Sequence, residues 1–388
     1  MEDMKAVGWN DLPVEITEII LGHVTYGKSR TCIPLHFVCK QWHTLLPPPS
    51  PEDLRSFVLP LVKQGCLSLL QWAKQNGCSF PSYECCALAA KRGHLEVLKW
   101  LRENGSFWDE ESCRCAAQGG HLGVLKWLKE NGCPLGEGVC VAAAWGGHLE
   151  VLKWLRESGC LCPSQATASA AGEGHLEVLM WLREIGCPWD EEVCSAAASQ
   201  GRLEILKWAR ENDCSWDEQT CSDAAMNQHF EVLKWARENG CDWDENTSIY
   251  AAASGRLDIM EWLRENGGRF PARAPYQPAK DGNLEMMKWL KRNGCELNEY
   301  TFAEAASGGH LEVMNWLHEN GCPFDDGASY LAFQSGHLDA LKWLRERDCP
   351  WNKWGFSRAA ENGHFEVILL SPLPRPKHPI TKIQFTRL

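Results

Sequence analysis

A unit of about 27 residues recurs along most of this 388-residue chain. One Trp marks each copy of the string HLEVLKWLRENG, from Trp72 to Trp343, with a first step of 28 residues and later steps of 27. Eleven copies are complete, and a twelfth loses the pattern at Leu370, where the next Trp is due. A unit this short buries its apolar face only against its neighbours, so the period predicts a stack of similar units.

Each copy predicts two helices. In the copy around Trp154, an apolar arc of about 220° suits a helix packed between neighbours; the arc consists of Leu149, Val151, Leu152, Trp154 and Leu155. Gly159 then ends the helix. An Ala-Ala pair, such as Ala143-Ala144, forms the other helix, and its small side chains allow close helix approach.

The 20 Cys follow the repeat, since nine of the eleven copies place Cys six residues after the marker Trp. No CxxC zinc pattern is present. Equivalent Cys in stacked units should lie roughly 8–10 Å apart, whereas a disulfide needs Cα atoms within about 7 Å. The pattern therefore favours free, buried packing residues. A thiol enzyme that uses an off-pattern cysteine (Cys32, Cys39 or Cys66) remains open.

His and Trp each recur at fixed positions of the repeat, here called the His and Trp columns, and each column can be interpreted as structural or as functional. His stands six residues before the marker Trp in seven copies and before Leu370 in the twelfth, but Arg202, Arg256 and Asn283 replace it in others. Because these replacements preserve no metal site, we interpret His as a polar helix-start residue that bonds loop backbone. The Trp columns are interpreted as packing, with recognition as the alternative.

The formal net charge of −12 argues against a nucleic-acid or anionic-membrane surface, since both need a basic face. No secretory signal or membrane-length apolar run is visible, which predicts a location in the cytoplasm or nucleus. Phosphate-loop, dinucleotide, zinc-protease and serine-hydrolase strings are also missing from the sequence. We therefore expect a protein that is not an enzyme and uses no metal or cofactor.

The pattern AA-x-x-GH-x-E-V-x-K-x-L-x-E-x-G resembles the ankyrin repeat, most specifically from Gly147-His148 through Gly159. A standard ankyrin unit has about 33 residues. The missing residues fall between Gly105 and Ala116, where the ankyrin pattern has its β-hairpin finger, and the TPLH box is absent. The resemblance implies a helical stack without the usual finger.

Residues 9–46 do not fit the repeat and resemble an F-box, which opens with LPxE and closes with V-C-K-x-W-x-x-L. F-boxes pack on a Skp-type adaptor, so the resemblance assigns adaptor binding to Leu12, Pro13, Ile16, Ile19, Ile20, Val38 and Trp42. The alternative is a simple N-terminal cap, since stacked repeats need one. The predicted organisation is all-α: F-box 9–46, Pro-rich linker 47–51, repeats 52–370 and Pro-rich irregular tail 371–388.

One unit is irregular. Pro275 and Pro278 enter its Ala-Ala helix, near Arg269 and Arg273 in an otherwise acidic array. Proline inside a helix costs about 3 kcal/mol. This helix is predicted to be short or broken.

The whole chain resembles the F-box plus ankyrin proteins found in large families in giant DNA viruses of amoebae and in some protists. The resemblance implies a substrate receptor of an SCF-type cullin ubiquitin ligase, monomeric outside that complex and, if viral, resident in the host cytoplasm or nucleus. A scaffold or sequestering protein is the rival.

The predicted target-binding residues are the acidic ones at the turn and start of each first helix, where the copies differ most. They are Asp109, Glu110, Glu111, Glu191, Glu192, Asp217, Glu218, Asp244 and Glu245. This placement predicts a basic or mixed-charge protein ligand.

Overall fold

The computed structural model describes residues 51–75, 80 and 82–368, and over these residues it consists of helices and contains no strand. First and second helices alternate along the chain, numbered odd and even below, which confirms the predicted all-α repeat fold. The F-box segment 9–46 and the tail 371–388 lie outside the described residues. Pro51, the last residue of the predicted linker, begins the first described helix.

The first of two compact units comprises the described residues through Ala197 together with Glu204–Cys214. Its helices are α1 Pro51–Gln64, α2 Leu67–Gln75, α3 Ser82–Lys91, α4 Leu95–Glu103, α5 Glu110–Gln118, α6 Leu122–Glu130, α7 Gly138–Trp145, α8 Leu149–Glu157, α9 Ser164–Glu173 and α10 Leu176–Glu184. Helices α11 Glu191–Ser199 and α12 Leu203–Glu211 contain residues of both units.

The second compact unit comprises Ala198–Leu203 and the described residues from Ser215 onward. Its helices are α13 Glu218–Met226, α14 Phe230–Glu238, α15 Glu245–Ser254, α16 Leu257–Glu265, α17 Tyr276–Lys280, α18 Leu284–Arg292, α19 Glu299–Gly308, α20 Leu311–Glu319, α21 Asp326–Ser335, α22 Leu338–Glu346, α23 Gly355–Glu361 and α24 Phe365–Ile368.

Helix ends follow from local sequence. Many first helices begin at an Asp whose side chain accepts a backbone N–H, as Asp109 does from Glu111 at 3.1 Å. The second helix α8 ends at Gly159, whose φ of +83° only glycine adopts at little strain. The Cys160 N–H then reaches the Leu155 carbonyl at 3.0 Å, which completes a Schellman motif.

The core of each compact unit lies between its first and second helices. In α8, Val151, Leu152 and Leu155 are buried, whereas Leu149 and Trp154 are only half-buried. The buried arc is therefore narrower than the arc predicted from sequence. Neighbouring first helices pack side by side, as α5, α7 and α9 do, and the fully buried Ala143 and Ala144 permit this close approach.

In most copies of the repeat, a histidine joins the helix pair to the pair before it. The His148 Nε2 lies 3.0 Å from the Gln118 carbonyl at the end of α5, and His121 makes the same contact to Lys91 at 3.1 Å. The backbone contact predicted for this column is confirmed, and the structure adds that the acceptor belongs to the preceding pair. The imidazole thereby satisfies a helix-terminal carbonyl that would otherwise lack a partner.

In many helix pairs, a cysteine links the end of the second helix to the start of the first. The Cys133 Sγ donates to the Asp109 carbonyl at 3.0 Å, which ties the end of α6 to the start of α5. Cys241 repeats this contact to Asp217 at 3.2 Å. The described cysteines that the structure gives as free, from Cys66 to Cys349, form no disulfide among themselves, in agreement with the packing interpretation.

The irregular first helix is short, as predicted. Helix α17 has five residues, Tyr276–Lys280, where most first helices have nine or ten. Pro275 is its N-cap and Pro278 lies in its first turn, where a missing N–H removes no helical hydrogen bond.

Gly120→Ala should destabilise the chain more than the matched change Gly132→Ala. Both glycines have positive φ (+76° and +81°), but a Cβ at Gly120 would lie 2.5 Å from the His148 ring, whereas nothing lies within 4 Å at Gly132. We expect Gly132→Ala to cost about 1 kcal/mol from backbone strain, and Gly120→Ala to exceed it by at least about 1 kcal/mol, the worth of the displaced hydrogen bond. Urea unfolding measures both. Equal losses would contradict the ring contact.

His121→Asn should remove part of the acid sensitivity of the fold. Burial lowers the pKa of His121 below its ordinary value of 6.5, so the folded state favours neutral imidazole. This contribution is complete above about pH 6.5 and is lost as the pH falls below that value toward the lowered pKa. Asn occupies the equivalent position at Asn283. Between about pH 6.5 and pH 5, the unfolding free energy of the wild type should therefore fall more steeply than that of the variant. If the two free energies fall in parallel, His121 does not contribute to the acid sensitivity.

Candidate partner-binding surface

The predicted target-binding residues all lie at the starts of first helices, but the Asp side chains already serve the fold. Asp217 accepts the Gln219 N–H at 3.1 Å, and Asp244 accepts the Asn246 N–H at 2.9 Å. With Asp109, these carboxylates are helix caps. Removing such a cap costs about 1 kcal/mol, so their presence in the turns has a structural explanation.

The predicted glutamates divide into paired and solvent-exposed residues. Glu111 accepts from the Arg114 guanidinium at 2.6 Å, and this bond lowers the pKa of the Glu111 carboxyl. The others are exposed carboxylates on four different copies of the unit, and they are Glu110, Glu191, Glu192, Glu218 and Glu245. These glutamates remain the part of the predicted acidic edge that could meet a ligand.

A groove of about 460 Å³ lies on the first helices of the first compact unit. Val141 and Trp145 of α7 line it together with Arg114 of α5 and Pro163 in the turn before α9. Trp145 is 44% exposed at the last position of α7, where α5 has Gln118. The repeat pattern gives no role to this tryptophan, because Trp145 lies outside the two Trp columns and Gln118 stands at the same position one copy earlier.

In the second compact unit, five successive first helices each present one aromatic side chain, here called the aromatic row. Its members are Tyr250, Tyr276, Tyr300, Tyr330 and Trp354, on α15, α17, α19, α21 and the N-cap of α23. Neighbouring helices from α15 to α23 are in contact. Tyr300 and Trp354 are 63% and 62% exposed. Large aromatic side chains left in water are typical of interaction surfaces.

Two of these rings are held in place by the following first helix or its turn. The Asn298 amide donates to the Tyr276 hydroxyl at 3.1 Å, and the Arg358 Nε donates to the Tyr330 hydroxyl at 3.2 Å. Tyr276 also lies 6.2 Å from Tyr300 between ring centroids. Tyr276 and Tyr330 are therefore held in position, which lowers the entropy that these two side chains lose on binding.

The tyrosines were visible in the sequence as exceptions to the repeat. The chain has six Tyr, and none belongs to the recurring string. The five among the described residues all lie on first helices, the fifth being Tyr83 of α3. Tyrosine is enriched in binding surfaces because it offers a large contact area for little conformational entropy.

The Trp columns are mainly structural. Trp108, in the turn before α5, meets Trp127 of α6 edge-on at 5.3 Å between ring centroids. The Arg102 guanidinium lies 4.3 Å from the Trp108 ring, so the ring also contacts the preceding helix pair. Most of the rings are half-buried, whereas Trp289 and Trp343 are buried, so packing and not recognition accounts for the columns.

Thiol chemistry gains no support among the described cysteines. Burial raises the pKa of the Cys85 and Cys86 thiols to about 12. Neighbouring thiols donate to the sulfurs of Cys133, Cys162 and Cys214 and lower their pKa, but these three residues are buried. A reactive thiol must be both ionised and accessible. Of the off-pattern residues, Cys32 and Cys39 lie outside the described residues, and the Cys66 Sγ lies 3.9 Å from Gln64 Oε1.

Within residues 51–75, 80 and 82–368, no group of three or more His, Cys, Asp or Glu side chains is arranged to hold a metal ion. The same residues include no helix with the length and apolar character needed to cross a membrane.

Trp127→Ala should destabilise the chain more than Trp181→Ala. A buried Trp→Ala change costs about 3–5 kcal/mol, and a half-buried ring should cost less, about 2–3 kcal/mol. Trp127 has the edge-on partner Trp108, whereas Cys162 occupies the equivalent position before Trp181. Since an aromatic pair adds about 0.5–1.5 kcal/mol, we expect a difference of that size in urea unfolding. A larger loss at Trp181 would refute this account.

Comparison with known proteins agrees with the helix pairs described above. Residues 85–129, from within α3 to the end of α6, match the family model for ankyrin repeats (many copies). Among solved structures, the chain is similar to the crystal structure of human ASB11 ankyrin repeat domain, at 19% identity over 42% of this chain and 85% of that chain, with a TM-score of 0.34. A search of curated proteins gave no match. Residues 85–129 are thus similar to ankyrin repeats.

Proposed function

We propose that this chain is a non-catalytic receptor that delivers a protein target to an SCF-type cullin ubiquitin ligase. Residues 9–46 dock on a Skp-type adaptor, and the exposed face of the first helices holds the target. A separate enzyme then transfers ubiquitin, and the receptor contributes by proximity alone. The similarity of residues 85–129 to ankyrin repeats supports the coarser statement that the chain acts in protein–protein interaction.

The observation that carries target binding is the contrast between first and second helices. Second helices repeat nearly the same string, and their exposed residues pair with each other, as Lys153 does with Glu150 at 2.6 Å. First helices vary from copy to copy and expose Trp145, Tyr300 and Trp354. A surface that differs at each unit on a constant scaffold can distinguish one protein target from another.

The helix that begins the described residues supports a separate role for residues 9–46. Helix α1 packs against α2 and α3, with Val58, Leu61 and Val62 buried. The end of a repeat stack needs a cover, and α1 can supply it. A cap formed by residues 9–46 is therefore not needed to cover the end of the repeat stack, which weakens the rival interpretation.

Replacing Leu12 and Pro13 by Ala should abolish capture of a purified Skp-type adaptor by the full chain. Each large apolar residue of the F-box face should contribute roughly 1.5–3 kcal/mol when buried against the adaptor. The helical circular dichroism of the repeats should not change, because these residues precede α1. Isothermal titration with the adaptor measures the loss.

A matched control is Trp354→Ala, which removes an exposed ring from the repeats and should leave adaptor binding intact. If the Leu12 and Pro13 variant binds the adaptor as tightly as the wild type does, the ligase assignment is wrong. The scaffold alternative would then stand.

A further inference from the structure

The first helices that carry the aromatic row have a spacing that suits a polyproline II peptide. Packed neighbouring helices lie roughly 8–10 Å apart, although rings on them can be closer, since the Tyr276 and Tyr300 ring centroids are 6.2 Å apart. A polyproline II strand rises about 3.1 Å per residue and turns every three residues, which gives about 9.3 Å per turn. Every third residue of such a strand can therefore meet the next first helix, and aromatic-lined surfaces are the kind that recognise such strands.

The row also offers hydrogen-bond donors. A polyproline II strand has no internal hydrogen bonds, so its carbonyl groups need donors from the receptor or from water. The hydroxyl of the exposed Tyr300 and the amide of the exposed Gln334, one turn after Tyr330 on α21, can donate to such carbonyls. Preformed donors beside preformed rings suit an extended ligand.

Charge selects among extended ligands. The five first helices of the row and the turns before them cover residues 242–254, 269–281, 296–308, 323–335 and 350–361. These segments contain 10 acidic and 5 basic residues, a formal net charge of −5. Some of the cations are already engaged, since Arg358 lies 2.8 Å from Glu361. The acidic excess lies on α15, α19 and α21 and the turns before them, which hold eight acidic and no basic residues, so this part of the row favours a basic ligand over an acidic one.

The chain itself contains a basic, proline-rich segment. Residues 371–388 read SPLPRPKHPITKIQFTRL and carry four prolines, four Lys or Arg residues and no Asp or Glu. Nine residues in polyproline II conformation, 371–379, would extend about 28 Å, enough to cross three neighbouring helices. Ile368, the last described residue, belongs to the helix pair α23–α24 that follows Trp354, so only two residues separate it from the segment.

We propose that the aromatic row binds residues 371–388 of the same chain, so that a target must displace this segment to reach the row. The inference rests on the proposed use of the first-helix face for target binding and adds a regulation of that face. It also names the chemistry of a competing target: a basic, proline-rich, extended peptide.

The test is a titration of a fluorescein-labelled peptide of sequence 371–388, followed by fluorescence anisotropy. The full chain should bind the peptide weakly, because its own segment occupies the row. The full chain with Pro372, Pro374 and Pro376 replaced by Ala should bind it at least about tenfold more tightly. Binding should weaken as salt is added, since exposed charges are screened.

Substitutions in the row identify the site. Tyr300→Ala or Trp354→Ala, each added to the proline-substituted chain, should weaken peptide binding by about tenfold or more. Tyr83→Ala is the matched control, because Tyr83 is a 56%-exposed tyrosine on a first helix outside the row. Circular dichroism checks that each variant remains folded.

The proposal is overturned if the proline-substituted chain binds the peptide no more tightly than the wild type does. It is also overturned if the Tyr300 and Trp354 changes have no more effect than the Tyr83 control. Neither result touches adaptor capture by residues 9–46, which is measured separately with the Leu12 and Pro13 variant. Failure of this inference and failure of the ligase assignment are thus distinguishable.

Discussion

The contact on which the repeats depend is the one between a histidine ring and the glycine of the preceding helix pair. The ring lies where a side chain at that glycine would stand, as the His148 ring does beside Gly120. The ring Nε2 also bonds a carbonyl at the end of the preceding first helix, which for His148 is the Gln118 carbonyl. One side chain thereby sets the distance between two pairs and satisfies a helix end. Within each compact unit the same contact recurs, from Gly65 and His94 in the first to Gly336 and His364 in the second.

The histidine contact and the cysteine contact of the Cys133 type are made by second helices and turns. The exposed faces of first helices therefore make neither of these stabilising contacts. Their inner faces need only small residues, such as Ala143 and Ala144. Their outer faces can vary without loss of stability, since surface substitutions usually change it by less than about 0.5 kcal/mol. The groove at Trp145 and the aromatic row occupy this freed surface.

The acidic turns show how a functional and a structural signal can coincide. In the sequence, Asp followed by Glu at four of the turns indicates a ligand-binding edge. In the structure Asp217 caps a helix and Glu218 faces water. Only the second of these two carboxylates is available to steer a partner, so the edge is weaker than its composition indicates. Aromatic residues of the second unit provide the apolar contacts that an acidic edge alone would lack.

The sequence by itself determined the period, the pairing of helices, the free cysteines and the short helix around Pro278, because these follow from spacing, from helix-end chemistry and from the geometry of proline. It also contained the signal of the tyrosines, which stand outside the repeat. Only the tertiary structure decided that His121 bonds a carbonyl 30 residues away, that most marker Trp rings are half-buried, and that Tyr250 through Trp354 form one row. The reason is physical: a residue's place within one repeat depends on local periodicity, whereas its neighbours on adjacent repeats depend on how the helices pack.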